Sequence, residues 1–255
     1  MTVAIPLFTA VVSFLFALTV LDQYLERRKA YQLVWTVGLA LYGVASLLQA
    51  LWVGAVVQQE WVFRLWYLTG AMLVAAYLGM GSIYLHVPRR FAHGAFVVLL
   101  LLTLLASFLS FRTELAGDLK VLKDRPMANR LKLTEQGQTK EARFYPPSVG
   151  GLTALLNVAG SAALIGGAVF SAIVFLRRRA PSYRVVSNVL IAGGAFISAS
   201  GGALEFLVRP QYHTVSLLVG VVIIYLGFLR SREVFVLYRV PFIHRLRPAG
   251  QRPQP

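Results

Sequence analysis

Ionisable and amide side chains inside long apolar runs are the places to look for chemistry, because each is costly in hydrocarbon and needs a partner or a role. This chain has few. Glu205 shares a helical stripe with Gly194, Ser198 and Gly201, and Arg209 follows it by four residues, the favourable order for an ion pair along a helix. Glu60 and Arg64 repeat that spacing. Gln49, Arg64, Arg209, Tyr212 and His213 fall at similar depth, near one end of their apolar runs, with Asn157 and Tyr42 nearer the middle. Brought together, these groups would line a polar pocket. Glu205 would accept from a ligand donor or face a cation, and Arg64 or Arg209 would pair with a carboxylate. Asp22, about a turn and a half from Arg27, Arg28 and Lys29, reads as an interfacial ion pair instead.

The same inventory argues against catalysis. Without cysteine there is no thiolate nucleophile, disulfide, cysteine-ligated zinc or iron–sulfur cluster. None of the apolar runs contains a lysine, so a retinal Schiff base has no amine. His86, His93 and His244 lie at one edge and His213 at the other, which leaves a membrane haem without a mid-span axial ligand. No H-E-x-x-H, G-x-S-x-G or phosphate-loop motif is present, and paired intramembrane acids are missing. The expectation is a non-enzymatic protein with no cofactor and no metal.

The elements that must position these residues are set by composition. Of 255 residues, 57% are hydrophobic and only 14% charged, against roughly 25% in soluble domains. Seven runs are long enough to cross a ~30 Å hydrocarbon layer as helices. They cover residues 5–24, 31–53, 61–84, 91–111, 148–175, 185–207 and 212–229. No proline falls mid-run, so continuous helices are expected. The first run is too long for a signal-peptide core and lacks a basic leader, so it reads as an uncleaved span. The fold class is therefore all-α, a polytopic seven-helix bundle: a membrane domain over 1–229 and a basic amphipathic tail over 230–255.

Orientation follows from lysine and arginine. Arg27, Arg28, Lys29, Arg89, Arg90, Arg177, Arg178, Arg179, Arg184 and six arginines after residue 229 place fifteen on one side, against Arg64 and Arg209 in the short connections of the other. The N-terminus is expected outside, the C-terminus inside, and the 112–147 connection outside as a lid. The +15 charge thus sits at helix ends rather than on a groove for phosphates, which argues against nucleic acid. Leu115, Leu119 and Leu122 suggest a short surface helix in the lid, and 130–143 a hairpin turning near Gln136. Trp52, Trp61, Trp66 and Tyr67 read as interfacial anchors. Arg239, Arg245 and Arg247, interleaved with Phe235, Tyr238 and Phe242, suit anionic lipid.

Small residues mark helix contacts in lipid. Ala163, Gly167 and Ser171 in the fifth run, with Gly194, Ser198 and Gly202 in the sixth, predict that these two approach closely. The fourth, nearly all apolar, should be the most lipid-exposed. The segments RLWYLTGAMLVAAYLGMGSIYLHVPRR and FLRRRAPSYRVVSNVLIAGG are similar to uncharacterised multi-pass bacterial membrane proteins, a resemblance that implies an inner (plasma) membrane and no activity. The leading expectation is a sensor or accessory subunit binding lipid, a small ligand, another membrane protein or a second copy. The alternative is a small-solute carrier of three-plus-one-plus-three design.

Overall fold

The computed structural model describes residues 3–122, 127–135, 138–207 and 211–231. Seven helices among them are long and apolar enough to cross a membrane: α1 Ala4–Arg27, α2 Ala30–Val53, α3 Glu60–His86, α4 Arg89–Arg112, α5 Pro147–Arg177, α6 Ser182–Leu207 and α7 Gln211–Arg230. The chain is a multi-pass membrane protein. The helices stop where the backbone says they should. Arg28 adopts a left-handed conformation (φ 52°) and returns its N–H to Tyr24, closing α1 two residues before α2 begins. Pro147 opens α5 at a position where its missing N–H costs nothing.

Six helices form a ring in the order α1, α2, α3, α5, α6, α7, with α7 returning to α1. The fourth stands outside it against α3. Only 17% of α4's apolar window is buried, against 61% in α3, as its all-apolar sequence leads one to expect. The close contacts differ from the expected α5–α6 pairing, although those helices are neighbours. A side chain at Gly79 of α3 would strike the backbone of Gly160 on α5. A side chain at Gly194 of α6 would come within 2.7 Å of the Gly220 carbonyl oxygen on α7. The tight seams are therefore α3–α5 and α6–α7. A stripe of small residues shows that a helix is approached, not by which neighbour.

The 112–147 connection lies across one end of the bundle, the loop end. Its strands β1 Arg130–Glu135 and β2 Gln138–Arg143 pair antiparallel. The expected surface helix is a single 3-10 turn at Leu119–Leu122, and its leucines turn inward: Leu122 is fully buried. Phe144 and Tyr145 are likewise fully buried, packing on Phe63 with ring centroids 5.4 and 6.0 Å away. Of the four expected interfacial anchors, only Trp61 is an exposed ring. Trp52 is buried and donates its indole N–H to the Leu122 carbonyl at 3.0 Å, which ties the loop to the end of α2. The rings became core because the loop folds over them.

Candidate functional site

Inside the ring, all six helices and the loop enclose a cavity of about 660 Å³, within the 300–1,000 Å³ typical of small-molecule sites. At the loop end its wall is polar: Thr9, Ser46, Gln49, Thr153, Asn157 and Thr214. Farther down, past Ser161 and Ser198, the lining side chains are apolar, among them Leu78, Leu164 and Ile224. Tyr42 stands between the two regions. It is buried and donates its hydroxyl to the Leu217 carbonyl at 3.0 Å, bridging α2 to α7.

The roof is a chain of hydrogen bonds. The Asn129 amide donates to the Tyr67 hydroxyl at 3.3 Å, and that hydroxyl lies 2.9 Å from the Thr153 hydroxyl. The Asn129 side-chain oxygen accepts from the Tyr145 N–H at 2.8 Å, so one asparagine joins loop, α3 and α5. Tyr67 and Tyr145 stack at 4.5 Å within this roof. Beneath them α3 departs from regular helix: Tyr67–Leu73 is a π-turn, with no proline to cause it. The Asn157 amide donates to the Ala71 carbonyl inside this turn and to the Thr153 carbonyl at 3.0 Å. A widened turn leaves carbonyls for a neighbour's side chain, and such turns cluster at functional sites.

Of the residues singled out in the sequence, Tyr42, Gln49, Asn157 and His213 all line this cavity. Gln49 is 6% exposed, and its side-chain oxygen has no hydrogen-bond partner. Arg64 is elsewhere. It pairs with Glu60 at 2.6 Å and donates to the Ser110 and Thr113 carbonyls at 2.5 and 2.8 Å, so it caps the end of α4 and is not among the lining residues. Tyr212 is exposed and also outside the lining. Asp22 is buried near the opposite end of α1. The Glu205 side chain, all of Arg209 and the tail beyond residue 231 lie outside the described residues.

Sequence reasoning missed Tyr67, Asn129 and Thr153. Thr153 was within reach, since it precedes Asn157 by one helical turn on the same face. Asn129 carried no signal, because a loop residue has no periodicity to reveal its direction. Among the described residues no group of three metal-ligating side chains exists. No protein-family model, curated protein or solved structure matches the chain.

Proposed function

We propose that the protein is a non-enzymatic membrane module, a sensor or an accessory subunit, that binds a small ligand in the cavity within its helix ring. The observation that carries this reading is the combination of a roofed cavity with a buried, unpartnered acceptor on Gln49. Buried polar atoms are normally satisfied, so an unpartnered acceptor on a side chain that lines a cavity favours an occupant that supplies the donor. Glu205 and Arg209 are proposed as further contacts at the loop end, to be tested as Glu205→Gln and Arg209→Gln. The proposed setting is a bacterial-type inner membrane, with the N-terminus and loop outside and the basic tail on anionic lipid, supported by the fifteen-to-two arginine and lysine asymmetry.

Native mass spectrometry of the full chain released from gentle detergent tests this. A bound small molecule is expected, and it should be absent from Ala154→Trp, which fills the cavity from an exposed position on α5. No bound molecule, or one indifferent to that substitution, would reject the cavity as the site.

The ring order favours one second reading. Helices α1–α3 and α5–α7 occupy opposite halves of the ring with α4 set aside, the arrangement expected of two three-helix repeats and a linker. Ligand-dependent flux into vesicles would support a carrier. A stoichiometric membrane partner that co-purifies without flux would support the subunit.

A further inference from the structure

The occupant's chemistry can be narrowed, on the premise that the cavity is a binding site. Three of its lining residues are exposed, Ala154 and Val158 on α5 and Ala199 on α6; every other lining residue is buried or half-buried. Val158 reaches 70% exposure. The cavity therefore opens sideways between α5 and α6, on the flank that hydrocarbon covers. At the loop end Ala128 is buried and Asn129 is bonded into the roof. A ligand has an open path from lipid, while at the loop end the described residues Ala128 and Asn129 cover the cavity.

The wall adds two constraints. No Asp, Glu, Lys or Arg is found among the described lining residues, and the proposed contacts Glu205 and Arg209 carry opposite charges, so a charged occupant would lose its hydration and gain no net counter-charge. The polar residues gather toward the loop end while the deep end is apolar, which matches a molecule with a polar head and a hydrocarbon chain. Gln49 lies seven residues from Tyr42 along α2, about 10 Å at 1.5 Å per residue. Its unpartnered oxygen asks for a hydroxyl or N–H at the head.

We infer that the cavity takes an uncharged amphiphile from the bilayer through the gap between α5 and α6. Its hydroxyl or amide N–H donates to Gln49, and its chain runs past Tyr42 between Leu78, Leu164 and Ile224.

The experiment uses the full chain in lipid nanodiscs and a medium-chain 1-monoacylglycerol brominated along its chain. Trp66 lines the cavity, so quenching of its emission, taken as the difference between the native protein and Trp66→Phe, reports occupancy. The fatty carboxylate and the alkyltrimethylammonium of the same chain are measured in parallel. The monoacylglycerol is expected to quench saturably and to bind at least tenfold more tightly than either charged analogue. Gln49→Leu should weaken it about tenfold, and capping its hydroxyls as methyl ethers should have the same effect on the native protein. Val158→Trp, at an exposed position, should slow the onset of quenching severalfold.

A charged analogue that binds equally well or better would overturn the uncharged class. An unchanged rate in Val158→Trp would overturn access from the bilayer. Either result leaves the cavity standing as a ligand site. If no probe quenches Trp66, the inference fails, and the mass-spectrometric result with Ala154→Trp then decides separately whether the cavity reading fails with it.

Discussion

Arg64 shows how much a residue's partners decide its meaning. A buried arginine in a span is a ligand-site candidate by default, yet here its guanidinium holds the last carbonyls of α4 and joins the loop to α3. Removing it would leave the Thr113 carbonyl without its side-chain donor, the Ser110 carbonyl keeping the Tyr145 hydroxyl, at about 1–3 kcal/mol for such a group. Arg64→Met should therefore lower the melting temperature and expose residues 112–122 to protease while leaving the occupancy of the cavity, read by Trp66 quenching, unchanged in Kd per folded molecule. Tyr145 makes a second residue-scale case. Burial pushes its phenol above the usual value of about 10, with the Ser110 bond and Arg64 acting the other way. Because the folded state raises the value, the contribution is complete below the unfolded value and is lost as pH climbs above it toward the folded one. Hydrogen exchange in the loop should accelerate above roughly pH 10. Tyr145→Phe should flatten that rise, while costing about 0.5–1.5 kcal/mol at neutral pH for the lost hydrogen bond. An identical pH response in both proteins would show that another group controls the opening.

At the scale of elements, α3 is the helix on which most depends. It meets α2, α4 and α5, and its π-turn faces the cavity. Its closest seam is the Gly79–Gly160 crossing, where neither position has room for a side chain. Gly160→Leu should cost about 1–3 kcal/mol through overpacking, read as a lower melting temperature, and should widen the cavity wall. Gly166→Leu, on the same helix but with nothing within 4 Å of an added Cβ, should cost far less. Equal losses would place the α3–α5 seam elsewhere. The seven spans and the exposed α4 were legible because length and apolar content are local properties of the chain. The neighbours of each helix were not, since glycine and alanine stripes are interchangeable between partners. The π-turn was invisible for a related reason: its Asn157 partner lies on another helix, 86 residues away. The pocket was half legible. Tyr42, Gln49, Asn157 and His213 converge because depth along a span can be counted, whereas Arg64 was drawn off by carbonyls that no spacing rule points to.

For the whole molecule, the loop end and the arginine-rich end are opposite faces of one ring, so the direction of insertion fixes where the cavity's roof points. The proposed orientation puts the roof outside. That assignment has a simple electrostatic basis: basic residues next to a span resist translocation, and among the described residues Arg27, Arg28, Lys29, Arg89, Arg90, Arg177, Arg178, Arg179, Arg184 and Arg230 lie at one face. A cysteine-free chain makes the test clean, because a single introduced cysteine is the only thiol. Cysteine at Gln138, in the hairpin, should react with a membrane-impermeant maleimide on intact cells or spheroplasts. Cysteine at Ser182, the first residue of α6, should react only after lysis. The reverse pattern would put the roof in the cytosol and move the proposed anionic-lipid contact of the tail to the other leaflet. The gap between α5 and α6 lies within the bilayer in either orientation, so an amphiphile dissolved in lipid would still reach Gln49. Insertion direction and ligand access are thus separable, and the labelling result constrains the compartment that reads the occupied state, while the quenching result constrains what occupies it.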